Sequence, residues 1–222
     1  MADAPDLFGA AGVDLGPGRA QDRHDPGGKV RLAVRDAGVV SRARFSECGR
    51  YRYELERRWD GGAFGEGGLC GFLMMNPSTA DENVDDPTVR RCRDFARRWG
   101  HGGLLVLNAF AFRATKPEML LSTPDPVGPE NDAAIAAWAR RVDRLVVAWG
   151  LPPAKLRWRA AQLEALLAGA GVTPVALKTT ACGQPGHPLY IRGDTEPKPW
   201  PAAPVRAEAL EGEAEEQSRL RP

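Results

Sequence analysis

The sequence predicts an α/β fold: a four-stranded, mainly parallel central sheet in a three-layer α/β/α arrangement, preceded by an antiparallel β-hairpin. Short apolar runs alternate along the chain with stretches whose apolar residues recur at helical spacing, the order typical of a parallel sheet with helical crossovers. The first run, residues 69–75, is too short for a core helix and lacks a helical period, as expected of a strand buried on both faces. Two segments of alternating polarity before this run predict the hairpin.

The first elements have clear boundary signals. The hairpin is predicted from alternating residues at 43–46 and 51–57, with Gly49 free to adopt a left-handed turn conformation. A helix is predicted at 87–99, because Asp86 followed by proline is a typical helix start. Its apolar stripe faces inward, arginines cover the other side, and a glycine follows its end.

The second half of the domain continues the alternation of strands and helices. Pro174 indicates an edge or strand-start position for the last predicted strand. The predicted strands are residues 104–107, 145–149 and 173–177, and the predicted helices are residues 129–142 and 153–168.

One domain between two tails is expected from the length of 222 residues. Residues 1–28 are rich in Gly, Pro, Asp and Ala and are predicted to be a disordered leader. Residues 29–200 are predicted to form the single α/β domain. Residues 201–222 are predicted to be an acidic, disordered tail.

Composition argues against several classes of protein. The net charge of +1 alone indicates no polyanion partner, and the four cysteines lie far apart without a C-x-x-C pair, unlike a zinc ribbon or a cysteine-ligated cluster. We therefore expect no metal and no cofactor. No apolar stretch reaches membrane-spanning length and the amino end lacks the order of a signal peptide, so we expect no membrane partner and a cytoplasmic location. The oligomeric state stays open.

Three polar residues are expected at one rim of the sheet. Asn76 follows the first buried strand, Asn108 follows the second, and His187 lies in the loop after the fourth. Because the carboxyl ends of parallel strands lie along one edge, where open α/β sheets place their binding sites, these side chains should converge. Each also has a structural interpretation: Asn76 precedes a proline as many turn residues do, Asn108 could cap a backbone group, and His187 could simply be exposed.

Two segments resemble the signature of a known family. Residues 76–81 read NPSTAD and residues 85–92 read DDPTVRRC. This pattern resembles a bacterial and phage family catalogued as domain of unknown function 1643, and the resemblance covers about residues 44–192. It brings no activity with it.

The order of segments is also similar to that of the uracil-DNA glycosylase superfamily. The strands ending at Asn76, Asn108 and Trp149 resemble three of its motifs, and His187 followed by proline resembles the start of its histidine motif. The sequence departs from the superfamily in three places. Asn76 stands where an aspartate often activates water, as in the mismatch-type branch; no tyrosine follows Pro77; and the usual small-residue loop after the histidine motif is absent.

The second resemblance implies excision of a base that is rotated out of the duplex into a pocket. Asn76 and His187 would be catalytic: Asn76 would orient a water through its carbonyl oxygen, and His187 would donate a hydrogen bond to the leaving base. Asn108 would read a base edge, with Phe110 or Phe112 as the aromatic wall. The other predicted substrate contacts are Pro77, Ser78, Thr79 and Arg113. Because residues 90–116 are locally basic, the predicted phosphate contacts are Arg90, Arg91, Arg97, Arg98 and Lys116.

Two functions from different classes remain open. The first is a glycosylase-like enzyme acting on a nucleobase in DNA or in a nucleotide. The second is a non-catalytic nucleic-acid or nucleotide-binding module with a uracil-DNA-glycosylase-like fold. The convergence of three polar groups favours the enzyme, whereas Asn76 in place of an aspartate favours the module. An enzyme for a small molecule unrelated to nucleic acids is a third, less favoured option.

Overall fold

A mixed sheet of seven strands organises the described part of the protein. The computed structural model describes residues 33–34, 38–78, 80–81 and 84–200, so the predicted leader, the predicted tail and Thr79 lie outside the described residues. The strands are β1 (Ala33–Val34), β2 (Val40–Phe45), β3 (Arg52–Arg58), β4 (Leu69–Met74), β5 (Val84–Asp85), β6 (Gly103–Asn108), β7 (Arg144–Val147), β8 (Val175–Ala176) and β9 (Lys198–Pro199). The helices are α1 (Pro87–Arg98), α2 (Asn131–Ala139) and α3 (Trp158–Gly169).

The strand order of the main sheet is β2-β3-β6-β4-β7-β8-β9. The predicted hairpin, β2 and β3, is antiparallel, and β6, β4, β7 and β8 run parallel to one another. The sheet is larger than the predicted four strands because β3 pairs antiparallel with β6 and β9 pairs antiparallel with β8. These additions cover the two outer edges of the parallel strands, which would otherwise expose unpaired backbone groups. A separate two-stranded pairing joins β1 and β5.

Apolar clusters lie on both faces of the sheet. Leu69 and Leu73 of β4 belong to one cluster, together with side chains of α2 and α3. Phe72 of β4 belongs to the other cluster, together with Cys92 and Phe95 of α1. Because successive side chains of a strand point to opposite faces, one apolar strand supplies both cores. The protein is therefore a mixed α/β structure with helices packed against the sheet.

The boundaries of α1 confirm the predicted signals. The Asp86 side chain accepts a hydrogen bond from the backbone N–H of Val89 (2.8 Å), and Gly100 after the helix has a φ of 78°. This carboxylate satisfies one of the N–H groups that the first turn leaves without a partner. Asp86 thus fixes where α1 begins.

The helix predicted at residues 153–168 begins later than expected. Residues Ala154–Leu156 form a 3-10 turn, in which the Leu156 N–H donates to the Pro153 carbonyl (2.8 Å), and α3 follows. Two consecutive prolines at 152–153 supply no backbone N–H, so the chain closes a short turn before the regular helix starts. The helix predicted at 129–142 is also shorter, as the bounds of α2 show.

Three charged side chains are buried together beside β5. The Asp85 carboxylate accepts hydrogen bonds from Arg57 Nε (2.9 Å) and from Arg93 Nη1 (3.2 Å). Arg57 is 0% exposed and Asp85 is 1% exposed. The three residues come from β3, β5 and α1, so this ion triad joins the hairpin to the start of the first helix.

Within the described ranges, no helix combines the length and the apolarity needed to cross a membrane.

Candidate functional site

A cleft of about 630 Å³ opens at the carboxyl ends of β4, β6 and β7. Its lining includes Asn76, Asn108 and His187, so the structure brings together the three residues that are predicted to lie at one rim of the sheet because they follow strand ends. The amino end of α1 forms one wall, and the 3-10 turn Pro188–Tyr190 forms part of the mouth. The other polar lining residues are Arg52, Ser78, Asp86, Thr88, Thr115 and Tyr190.

The Asn76 side chain is held by the backbone. Its Nδ2 donates to the carbonyl oxygens of Ala114 (2.6 Å) and Pro77 (3.0 Å). Because carbonyl oxygens only accept hydrogen bonds, these two contacts fix which end of the amide is nitrogen. No described residue donates to Asn76 Oδ1, which leaves this oxygen as the group that Asn76 offers to a ligand or a water.

Asn108 is oriented by Arg52, a residue that the sequence analysis did not select. Asn108 is 1% exposed, and its Oδ1 accepts a hydrogen bond from Arg52 Nη2 (3.2 Å). A guanidinium has donors and no acceptor. The amide oxygen must therefore face Arg52, and the Nδ2 group is left for the cleft.

Arg52 is a buried cation at the base of the cleft. It is 2% exposed, and its Nη1 donates to the Ala80 carbonyl oxygen (2.6 Å). Burial lowers the pKa of Arg52 to about 10, and the Asp86 carboxylate opposes part of that shift. The guanidinium thus keeps its positive charge at neutral pH. Because successive side chains of a strand point to opposite faces, the sequence predicts that Arg52 lies on the other face of the hairpin from Tyr51 and Tyr53. This pattern does not indicate that the strand lies beside the rim.

His187 is a neutral hydrogen-bond donor in this arrangement. Its Nδ1 accepts a hydrogen bond from the backbone N–H of Leu189 (3.3 Å). Burial lowers the pKa of His187, and the Asp86 carboxylate partly opposes this effect. A neutral imidazole whose Nδ1 accepts carries its proton on Nε2. His187 can therefore donate from Nε2 to a ligand near pH 7.

Asp86 is the carboxylate of the cleft. It is 8% exposed, and one of its oxygens, Oδ1, caps α1. No described residue donates a hydrogen bond to Oδ2. From sequence, Asp86 is predicted only as a helix cap, because an aspartate before a proline is a typical helix start.

The structure does not place the two candidate aromatic residues in the cleft. Phe110 is 0% exposed and packs edge-on against Trp158, with ring centroids 6.0 Å apart. Phe112 packs against Tyr51, with centroids 5.8 Å apart. Tyr190 is instead the accessible aromatic residue of the cleft: it is 85% exposed, and its ring centroid lies 5.6 Å from that of His187.

Of the remaining predicted substrate contacts that the structure describes, one lines the cleft and two lie outside its lining. Ser78 lines the cleft, whereas Pro77 is buried beside it and its carbonyl oxygen also accepts the Ala114 N–H (2.9 Å). Arg113 Nη1 donates to the Gly49 carbonyl oxygen (3.2 Å), and its guanidinium lies over the Phe45 ring. Arg113 therefore braces the hairpin turn.

The predicted phosphate contacts on α1 already bind protein groups. Arg90 Nη1 donates to the Asp85 carbonyl oxygen (3.0 Å), and the Arg91 guanidinium donates to the Ile191 carbonyl oxygen. The Arg97 guanidinium lies 5.0 Å from the centroid of the Trp59 ring, and Arg98 Nη2 donates to the Asp194 carbonyl oxygen (3.3 Å). Lys116 is exposed. These four arginines of α1 thus all contact protein groups, and two of them, Arg97 and Arg98, also remain exposed.

No metal site is formed by the residues that the structure describes. No group of three or more His, Cys, Asp or Glu side chains in these ranges is placed to hold an ion. Cys70 and Cys92 are buried free thiols on the α1 side of the sheet. Burial raises the pKa of the Cys70 thiol to about 12, which keeps it protonated and inert at neutral pH.

Two half-buried histidines should make the fold less stable in mild acid. Burial lowers the pKa values of His101 and His187, so the unfolded chain binds more protons than the folded protein once the pH falls below the ordinary value of about 6.5. We expect the free energy of unfolding to fall between about pH 6.5 and 5.5 and to be constant with respect to these groups above pH 7. Urea unfolding at several pH values measures this slope. The His101→Gln/His187→Gln double variant should have a smaller slope, and an equal slope would contradict the assignment.

The chain was compared with known protein families, curated proteins and solved structures. The family model described as protein of unknown function (DUF1643) matches residues 52–189. No curated protein and no solved structure matches the chain. The matched segment begins at Arg52 and ends at Leu189, so it contains Asn76, Asp86, Asn108 and His187. This match covers more than half of the chain and confirms the family predicted from the NPSTAD signature: the chain belongs to the family of proteins of unknown function DUF1643.

Proposed function

We propose that this protein hydrolyses the N-glycosidic bond of a nucleobase, presented in DNA or in a nucleotide, within the cleft. One observation carries the proposal: Asn76, Asn108 and His187 line the same cleft, and each retains a hydrogen-bonding group that no described residue uses. The proposal takes the four parallel strands as the centre of a three-layer arrangement similar to that of the uracil-DNA glycosylase superfamily.

The three groups suit the three tasks of such a reaction. Asn76 Oδ1 accepts a hydrogen bond from a water and holds it beneath the anomeric carbon. Asn108 Nδ2 donates to an oxygen on the base edge. His187 Nε2 donates to an oxygen of the leaving base, where negative charge develops as the bond breaks. Donors fixed in place before the reaction stabilise that charge without reorganising, which is the largest contribution in many enzymes.

The dimensions and the mouth of the cleft support a ligand of nucleotide size. Its volume of about 630 Å³ lies in the range of small-molecule sites, roughly 300–1,000 Å³. The exposed Tyr190 ring offers a stacking surface, and base stacking on an aromatic side chain contributes ~1–3 kcal/mol per base. Four of the five predicted phosphate contacts, Arg90, Arg91, Arg97 and Arg98, already bind protein groups, although Arg97, Arg98 and Lys116 are exposed. A nucleotide therefore needs fewer additional contacts than duplex DNA does.

A non-catalytic binding module is the second candidate. It is supported by Asn76 itself, because an amide cannot accept a proton at neutral pH. In a binding module, Asn76, Asn108 and His187 would hold a base or nucleotide without cleaving it. Ligand binding without base release would favour this candidate over the enzyme.

The test is a base-release screen. Its substrates are oligonucleotides that carry uracil, mismatched thymine, hypoxanthine or hydroxymethyluracil, together with the corresponding nucleotides. We expect the wild-type protein to release at least one base and Asn76→Ala to lower that single-turnover rate by about a hundredfold, because the water loses its positioning partner. Asp94→Asn, an exposed change on α1, is the matched control. Undiminished release by Asn76→Ala would remove Asn76 from the reaction.

A further inference from the structure

We propose that Asp86 is a catalytic residue of this cleft: its carboxylate accepts the proton of the attacking water that Asn76 orients. This inference rests on the proposed function and adds a residue that the resemblance to the uracil-DNA glycosylase superfamily does not supply. Asn76 lacks the basicity for that step, so the reaction needs a proton acceptor from another element.

The two oxygens of the Asp86 carboxylate have different surroundings. Oδ1 accepts the Val89 N–H (2.8 Å) and holds the start of α1, which fixes the position of the whole group. Oδ2 has no donor among the described residues, although Asp86 is only 8% exposed and belongs to the lining of the cleft. A helix cap requires one oxygen only. The second oxygen is thus an acceptor without a donor, on a side chain that lines the cleft.

The surroundings of Asp86 match a reacting group. His187 and Arg52, which also line the cleft, both have pKa values that the Asp86 carboxylate raises against the effect of burial. The neutral His187 does not form a permanent ion pair with the carboxylate, and the Arg52 Nη groups donate to Asn108 and Ala80 instead. Among the described residues Asp86 therefore has no ion-pair partner, and its carboxylate favours positive charge on a sugar bound in the cleft.

In the proposed step, water replaces the base at the anomeric carbon. The bond between the anomeric carbon and the base nitrogen breaks, and its electron pair leaves with the base, which His187 and Asn108 stabilise by hydrogen bonds. The water oxygen forms the new bond to the anomeric carbon, and one water proton passes to Asp86 Oδ2. Solvent later removes that proton and protonates the released base. Water is the only co-reactant.

Substitutions of Asp86 that keep the helix cap distinguish its capping of α1 from its proposed acceptance of a proton. Asparagine and serine cap helices about as well as aspartate, and glycine caps them only slightly less well. We expect Asp86→Asn and Asp86→Ser to lower the single-turnover rate of base release by about 10²–10⁴-fold, the usual contribution of a general base. Their melting temperatures and their affinities for the released base should match those of the wild type. Asp94→Asn, which removes an exposed carboxylate from the same helix, should leave all three quantities unchanged.

A small carboxylate should substitute for the missing side chain. We expect formate to raise the rate of Asp86→Gly and to leave that of Asp86→Asn unchanged, because only the glycine variant has space for it. The inference is overturned if Asp86→Asn releases base at the wild-type rate, or if its loss of rate is matched by an equal loss of affinity. Those results leave the proposed function standing. Failure of the wild type to release any base overturns the proposed function and this inference together.

Discussion

Asp85→Ala is expected to lower the free energy of unfolding by about 3–5 kcal/mol, the usual cost of removing one partner from a buried ion pair. The Asp85 carboxylate is 1% exposed and binds both Arg57 and Arg93. Without it, two buried guanidinium groups lose an ion-pair partner. The change should also loosen β5 and the start of α1, which this triad joins to the hairpin.

Urea unfolding followed by circular dichroism measures the loss. Asp94→Ala, at an exposed position of α1, is the control and should change stability by at most about 0.5 kcal/mol. A triple replacement of Asp85, Arg57 and Arg93 by apolar residues of similar volume should be less harmful than Asp85→Ala, since it leaves no uncompensated charge. A loss from Asp85→Ala no larger than that of Asp94→Ala would show that the triad contributes little.

His187→Phe is expected to lower the rate of base release by about 10²–10³-fold, the usual effect of removing one donor that stabilises developing negative charge. Phenylalanine keeps an aromatic ring beside Tyr190 but offers no N–H group. Because the donor acts mainly as the bond breaks, the affinity for the intact substrate should change far less than the rate. Single-turnover kinetics and equilibrium binding of the same substrate measure the two quantities.

The pH profile of the wild type provides an independent check. Burial lowers the pKa of His187, so the neutral ring persists below the ordinary histidine pKa of about 6.5. If the neutral form is required, the rate should stay level through neutral pH and fall only at a pH below that value. Equal rates for His187→Phe and the wild type would exclude His187 as the donor.

Local signals predicted much of this fold. The Asp86 cap, the glycine after α1 and the hairpin turn at Gly49 depend on neighbouring residues, and the structure has all three. The pairing of β3 with β6 and of β9 with β8 depends on residues far apart in sequence. An apolar or alternating pattern indicates which side of a strand is buried, but it does not identify the neighbouring strand.

The difference between local signals and long-range strand pairing also explains which residues of the candidate site could be predicted. Asn76, Asn108 and His187 follow the ends of predicted strands, so topology alone was enough to group them. Arg52 comes to the cleft through the β3–β6 pairing, which no local pattern indicates. Phe110 was selected because it lies near Asn108 in sequence, but the chain turns it into the core.

The contact between Arg52 and Asn108 determines which hydrogen-bonding group a ligand must present to Asn108. With Asn108 Oδ1 committed to the guanidinium, a ligand atom that meets Nδ2 must bring a lone pair. A carbonyl oxygen meets that condition, whereas an exocyclic amino group would place a second donor against the first. If the proposed function holds, Arg52, a side chain of the antiparallel hairpin, thus makes the site favour a keto edge over an amino edge.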